Sequence, residues 1–154
     1  MTLEEYAKIK SYKELPNWEE LYEYAKSGYD FFGLGIYYYV QEYLTLVALS
    51  EWENISSKVV EFARLQLIKS VINLLDKSEG NYTVDFIYDS KYRPTDDAIR
   101  IAENFFVVIN EGAKDGLFSD KRIPINNGLR FNSREAAVWF AEHFYSEIKY
   151  YLYQ

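Results

Sequence analysis

Cysteine is absent from this chain of 154 residues, and histidine occurs once, at His143. Without cysteine there is no thiol nucleophile, no disulfide and no thiolate metal site. With one histidine, a multi-histidine metal centre cannot be built within a single chain. Basic residues are in deficit: 17 Lys and Arg face 24 Asp and Glu, for a net charge of −7. That balance repels nucleic acid and anionic membranes unless a basic patch is segregated from the acidic bulk. Long apolar runs are also missing. The longest, Phe31 to Leu49, is broken by Gln41 and Glu42, which argues against a membrane span. The opening Met1-Thr-Leu-Glu-Glu5 has no basic region and no apolar stretch of a secretory leader, so a cytoplasmic protein is expected. The sequons Asn54-Ile-Ser56 and Asn81-Tyr-Thr83 then have no route to a glycosylating compartment. A chain equipped this way suits contacts better than chemistry, and neither enzymatic activity nor a cofactor is expected.

What the chain does have is aromatic surface. It carries 16 Tyr, 10 Phe and 3 Trp, within a hydrophobic fraction of 49%. A domain of this length buries roughly 68–70% of the surface its unfolded chain exposes, enough for a core without staples. One domain over 1–154 is expected, with a helical part at 1–80. A section of strand, helix and β-hairpin follows at 81–132, and a C-terminal helix at 133–154. The fold class is mainly α: a bundle of about six helices with a small antiparallel sheet in the second half, an α+β arrangement.

Helix starts are marked by capping boxes, in which a side-chain oxygen and a carboxylate satisfy each other's unpaired backbone N–H groups. Thr2-Leu-Glu-Glu5, Asn17-Trp-Glu-Glu20 and Asn132-Ser-Arg-Glu135 fit the pattern. Gly28 suits a C-terminal cap. A long, mostly buried helix is predicted over Asp30 to Trp52, with Gly33 and Gly35 weakening its first turn and allowing a start near Leu34. Asn54 or Ser56 caps a further helix over 57–77, and Gly80 closes it. Tyr82, Val84, Phe86 and Tyr88 then alternate with Thr83, Asp85, Ile87 and Asp89, which predicts a strand with one apolar face. Pro94-Thr95, followed by Asp96 and Asp97, predicts a helix running to about Glu111. Residues 122–131 predict a hairpin turning at Asn126-Asn-Gly128.

Several side-chain groups invite a chemical role. His143 and Glu147, four apart on one predicted helix, would start a metal site only if further ligands came from elsewhere; otherwise they are a surface pair. Asp85 and Asp89 share a strand face with Asp96 and Asp97 close behind, a set suited to Mg²⁺ or to helix capping. Gly33-Leu-Gly35 lacks the strand and third glycine of a phosphate loop. Tyr37, Tyr38, Tyr39 and Tyr43, with Tyr150 and Tyr151 near the C-terminus, fit either a partner interface or a tyrosine-rich core. Lys114, Lys121, Arg122, Arg130 and Arg134 face only Asp115 and Asp120 in the 114–134 stretch, a local excess of +3. Glycine-rich backbone and arginine forks there suit contact with a phosphate backbone, and an ordinary solvated hairpin fits as well.

The stretch Asp96-Asp-Ala-Ile-Arg-Ile-Ala-Glu-Asn-Phe-Phe-Val-Val-Ile-Asn-Glu-Gly-Ala113, together with Tyr43-Leu-Thr-Leu-Val-Ala-Leu-Ser50 and the chain length, resembles the small subunit of archaeal type I-A CRISPR effector (Cascade) complexes. The resemblance covers about half the chain. It implies a non-catalytic helical subunit of an antiviral effector complex, which lines the filament with other protein subunits and helps hold guide RNA and target DNA. The five basic residues of 114–134 would then be the RNA-binding candidates. The acidity departs from that pattern and sets a different expectation beside it: an acidic protein-binding inhibitor or nucleic-acid mimic, acting through Glu19, Glu20 and Glu23. A third is a metal-dependent hydrolase built on Asp85 and Asp89.

Overall fold

A computed structural model describes residues 2–28, 34–52, 55–88, 98–102, 105–111 and 129–153. These form six α-helices and one four-stranded antiparallel sheet, a mainly helical α+β fold. The helices are α1 (Leu3–Lys8), α2 (Trp18–Ser27), α3 (Leu34–Trp52), α4 (Ser57–Leu75), α5 (Arg134–His143) and α6 (Tyr145–Leu152), with a 3₁₀ turn at Tyr12–Glu14. The strands are β1 (Tyr82–Tyr88), β2 (Ala98–Ala102), β3 (Phe105–Glu111) and β4 (Arg130–Phe131).

The helix starts in the first half follow their caps. Thr2 Oγ1 accepts from the Glu5 N–H at 3.2 Å, and Glu5 accepts from the Thr2 N–H in return. Asn17 Oδ1 accepts from the Glu20 N–H at 2.9 Å, and Ser56, not Asn54, caps α4. Gly28 closes α2 for a steric reason: a Cβ there would lie 2.0 Å from the Tyr6 hydroxyl. Tyr6 is buried and stacks on Tyr24 with ring centroids 4.4 Å apart, so it has little room to withdraw.

The helix predicted up to Glu111 is not there. Its described part forms β2 and β3, and the 94–97 start lies outside the described residues. Ile99, Ile101, Val107, Val108 and Ile109 are β-branched and lose χ1 freedom in a helix, whereas in a sheet they pack well. Strand β3 pairs along the whole of β1, from Tyr82↔Glu111 to Tyr88↔Phe105, and β2 joins its other edge. The strand order is β2-β3-β1-β4. Of the predicted 122–131 hairpin only residues 129–131 are described, and β4 pairs with β1 at Tyr82↔Phe131 and Thr83↔Arg130.

The single C-terminal helix is two. Ser133 rather than Asn132 is the cap of α5, and the chain breaks at Phe144 (φ −109°, ψ 30°) before α6 begins. Asn132 is occupied elsewhere: its side-chain amide donates to the carbonyls of Asn73 (3.1 Å) and Asp76 (3.2 Å). Asn73 in turn donates to the Arg130 carbonyl at 2.7 Å, and Ser133 Oγ donates to Asp76 Oδ2 at 2.7 Å. These bonds fasten the C-terminal end of α4 to the β4–α5 junction and so fix where Arg130 stands.

Helix α4 runs through the centre, and Leu65, Leu67, Ile68, Val71 and Ile72 have no exposed surface. On one side it pairs with α3 as a helical hairpin and touches α2. On the other it meets α6 and α5, which cover one face of the sheet. Val84, Val107 and Ile109 point from that sheet face into the core shared with Phe140, Phe144 and Ile148. No helix among the described residues is long and apolar enough to cross a membrane.

Candidate nucleic-acid interface and partner face

Of the five basic residues singled out in 114–134, Lys114, Lys121 and Arg122 lie outside the described residues. Arg130 and Arg134 stand in different surroundings. Arg134 opens α5 and lines a shallow groove with Lys13, Glu135, Val138, Trp139 and Glu142, so carboxylates accompany it. Lys13 bridges to Glu135 across the same groove.

Arg130 stands on the exposed side of β4, its Nε donating to Asn81 Oδ1 at 3.0 Å. The fold brings it to Lys69, one turn before Asn73 on α4. Burial lowers the Lys69 ammonium from its ordinary value, and the charge of Arg130 lowers it further. The Lys69 Nζ also sits 5.3 Å from the centre of the Tyr39 ring. Together with Glu42, Leu46, Phe62 and Gln66, Tyr39 and Lys69 line an open groove of about 300 Å³ between α3 and α4. No carboxylate among the described residues lies within 4 Å of the Lys69 amine or the Arg130 guanidinium. Two cations therefore stand near enough for one to depress the other, with an aromatic ring beneath Lys69, in a protein of charge −7. Lys69 carried no signal in the sequence. The Asn73–Arg130 bond, across 57 residues, and the bonds of Asn132 and Ser133 to the end of α4 bring it to Arg130.

The six candidate interface tyrosines separate by depth. Tyr38 is 61% exposed, and Tyr37 and Tyr150 are also exposed. Tyr39 is half-buried in the α3–α4 groove. Tyr151 is half-buried against Phe62 and Phe86, with ring centroids 5.5 and 5.7 Å away. Tyr43 is a core residue packed with Val60 and Ala63, because it follows Ile36 and Val40 on the α4-facing stripe of α3. Trp52, which was not among the candidates, is 86% exposed at the end of α3.

A cluster around Arg64 draws on four helices, α2, α3, α4 and α6. Arg64 on α4 lies 5.1 Å from the Trp18 ring centre and 5.8 Å from that of Tyr43, and donates to the Tyr43 hydroxyl at 3.3 Å. Its Nε is 3.5 Å from Glu61 Oε2, and neither of these two buried atoms has a hydrogen-bond partner. Burial raises the Glu61 carboxyl above the usual carboxylate range, with Arg64 pulling it back. Glu147 on α6 is raised the same way by burial, lowered by Arg64, and pushed up again by Glu19 and Glu61. A raised carboxyl is one feature that general acids share. Here aromatic rings close around the guanidinium, and neither carboxylate lines the α3–α4 groove or the α5 groove.

The other candidates are placed as follows. His143 and Glu147 do not share a helix, since the break at Phe144 separates them. His143 stacks on Trp139 at 4.5 Å, with Nδ1 3.0 Å from the Trp139 carbonyl oxygen. Asp85 accepts from Asn110 Nδ2 at 2.7 Å across the sheet, while Asp89, Asp96 and Asp97 lie outside the described residues. Among the described residues no group of three or more His, Asp and Glu side chains is placed to hold a metal ion. Comparison of the chain with family models, with curated proteins and with solved structures finds no match.

Proposed function

We propose that this protein is a non-enzymatic, cytoplasmic subunit of a nucleoprotein assembly. It would hold guide RNA or target DNA alongside other protein subunits, as the resemblance to the small subunit of archaeal CRISPR effector complexes implies. The observation that carries this is Lys69 set over the Tyr39 ring with Arg130 fastened to the next turn of α4, and no carboxylate among the described residues in ion-pair reach of either. Single-stranded nucleic acid offers what that arrangement lacks: phosphate for the two cations and a base to stack on the ring. The overall charge of −7 then has a consequence: binding outside the assembly is weak and strongly salt-dependent.

The test is fluorescence anisotropy with a labelled single-stranded RNA at low salt. Lys69→Glu with Arg130→Glu is expected to weaken binding by about 10- to 100-fold and to reduce the log–log salt slope by about 1.4, roughly 0.7 per lost phosphate contact on a single strand. Circular dichroism should be unchanged, because Arg130 is exposed and the bond that fastens it to α4 runs through its backbone carbonyl, leaving only the surface bond from Nε to Asn81 to be lost. Undiminished binding by the double variant would show that the phosphate contacts lie elsewhere.

The acidic-inhibitor alternative is favoured by one observation: Glu4, Glu5, Glu19 and Glu20 are all exposed on α1 and α2. It predicts capture of one basic protein without RNA, and loss of that capture when Glu19, Glu20 and Glu23 become glutamine.

A further inference from the structure

The groove between α3 and α4 is built in levels. Lys69 lies over Tyr39 at one level, and Tyr43 meets Arg64, Val60 and Ala63 further along, so the two helices run antiparallel. Glu42 stands three residues after Tyr39 and Gln66 three before Lys69. Both therefore line the groove about 4.5 Å beyond the Tyr39–Lys69 level, at 1.5 Å per residue. Leu46 and Phe62 form the next level.

The polar groups of this groove do not satisfy one another. Glu42 and Lys69 carry opposite charges and line the same walls, yet no ion pair within 4 Å joins them. Gln66 is half-buried. Its backbone carbonyl accepts from the Ser70 hydroxyl, but its side-chain amide has no hydrogen-bond partner among the described residues. The Glu42 level thus offers a carboxylate and an amide, flanked by a cation on one side and apolar walls on the other.

Chemistry narrows what fits there. A carboxylate repels phosphate, so this level does not continue the cationic one. It accepts N–H groups, and two adjacent ones suit its two oxygens best. The neighbouring amide can donate to a carbonyl. The walls of Tyr39, Leu46 and Phe62 suit a flat ring. Among the nucleobases, guanine alone carries two neighbouring N–H donors on its pairing edge, at N1 and N2, with the acceptor O6 beside them. Adenine and cytosine set one amino group next to an acceptor nitrogen, which a carboxylate repels. Uracil has a single N–H between two carbonyls.

We infer that the α3–α4 groove is a guanine-selective subsite, in which Glu42 accepts from N1–H and N2–H and Gln66 donates to O6. This rests on reading the protein as a binder of single-stranded nucleic acid and adds a base preference to that site. Lys69 and Arg130 keep the phosphate, and the attached base enters the next level. At about 300 Å³ the groove is at the small end for ligand sites and holds one base. Glu42 is exposed, so the preference should be about 10-fold, toward the low end for a bidentate contact.

The test is fluorescence anisotropy at low salt with four labelled RNAs, uridine tracts that differ only in a central G, A, C or U. The strand with G should bind about 10-fold tighter than the other three. Glu42→Gln should remove that advantage while holding or slightly raising affinity for the others, because a negative charge beside the phosphate site is gone. Damage to the fold would lower all four together. Inosine in place of the guanine lacks the N2 amino group and should lose most of the advantage on the wild-type chain. Guanosine 5′-monophosphate should compete far more weakly than the strand; equal competition would overturn a strand base as the occupant. Four strands of equal affinity, or a preference for G that survives Glu42→Gln, would overturn the inference. If Lys69→Glu with Arg130→Glu still weakens all four, the functional proposal stands without it. Binding to none of the four would remove both.

Discussion

Replacing Arg64 by methionine lowers stability by about 2–3 kcal/mol at neutral pH, and by less at pH 5. Removing one partner of a buried ion pair costs about 3–5 kcal/mol because it strands the other charge. The lower figure is expected here because the Arg64 side chain remains 19% exposed and water reaches its rim. The stranded charges are Glu61 and Glu147, both already raised by burial and both held down by this guanidinium. A raised folded-state value means that the fold binds more protons than the unfolded chain between the ordinary 4.5 and the folded value. Stability is then lost as pH rises through the folded value and regained as pH falls back toward 4.5. Without Arg64 both carboxyls rise further, so the variant gains more than the wild type on acidification. Glu14 has the opposite sign, being lowered by the backbone N–H groups of Lys10 and Ser11, but its contribution is lost only below 4.5. Urea melts at pH 7 and pH 5 provide the check. The same loss at both pH values would mean that Arg64 acts by packing on Trp18 and Tyr43, not through charge. Adding Glu61→Gln and Glu147→Gln to the variant should recover most of the neutral-pH loss.

Phe140→Ala should cost about 3–5 kcal/mol, the range for a large aromatic removed from a packed core. Phe140 has no exposed surface and lies 5.0 Å from the Phe131 ring and 6.2 Å from Phe144. It joins β4, α5 and the break before α6 in one contact. The cavity forms where a strand and two helix ends meet, so none can close it alone. Chemical denaturation should show a lower midpoint with an unchanged slope. A loss below about 1 kcal/mol would mean that the site collapses around the deletion.

How much of this was legible in the sequence depends on how local the determining interaction is. Caps act within four residues, so Thr2, Asn17 and Ser56 announced α1, α2 and α4, and the alternation from Tyr82 to Tyr88 announced β1. Strands β2 and β3 were missed because their pairing is non-local. The apparent capping signal at Thr95-Asp-Asp97 outweighed the β-branched residues, whose preference is expressed only once β1 lies alongside. The break at Phe144 has no glycine or proline to mark it. It comes from burying Phe140 and Phe144 together with Ile148 in one core. At the candidate site, Arg130 was legible as part of a basic stretch, whereas Lys69 needed the Asn73 bond to reach it. Tyr38 and Tyr43 read alike, five residues apart, until the position of α4 made one surface and the other core.

The most direct test of the central claim is a mild tagged purification of this protein from its native host, followed by identification of the proteins and small RNAs that co-elute. A subunit of a nucleoprotein assembly should bring down larger effector proteins together with a guide RNA, and Lys69→Glu with Arg130→Glu should reduce the RNA recovered. A single basic protein with no RNA would contradict the account and favour an acidic inhibitor.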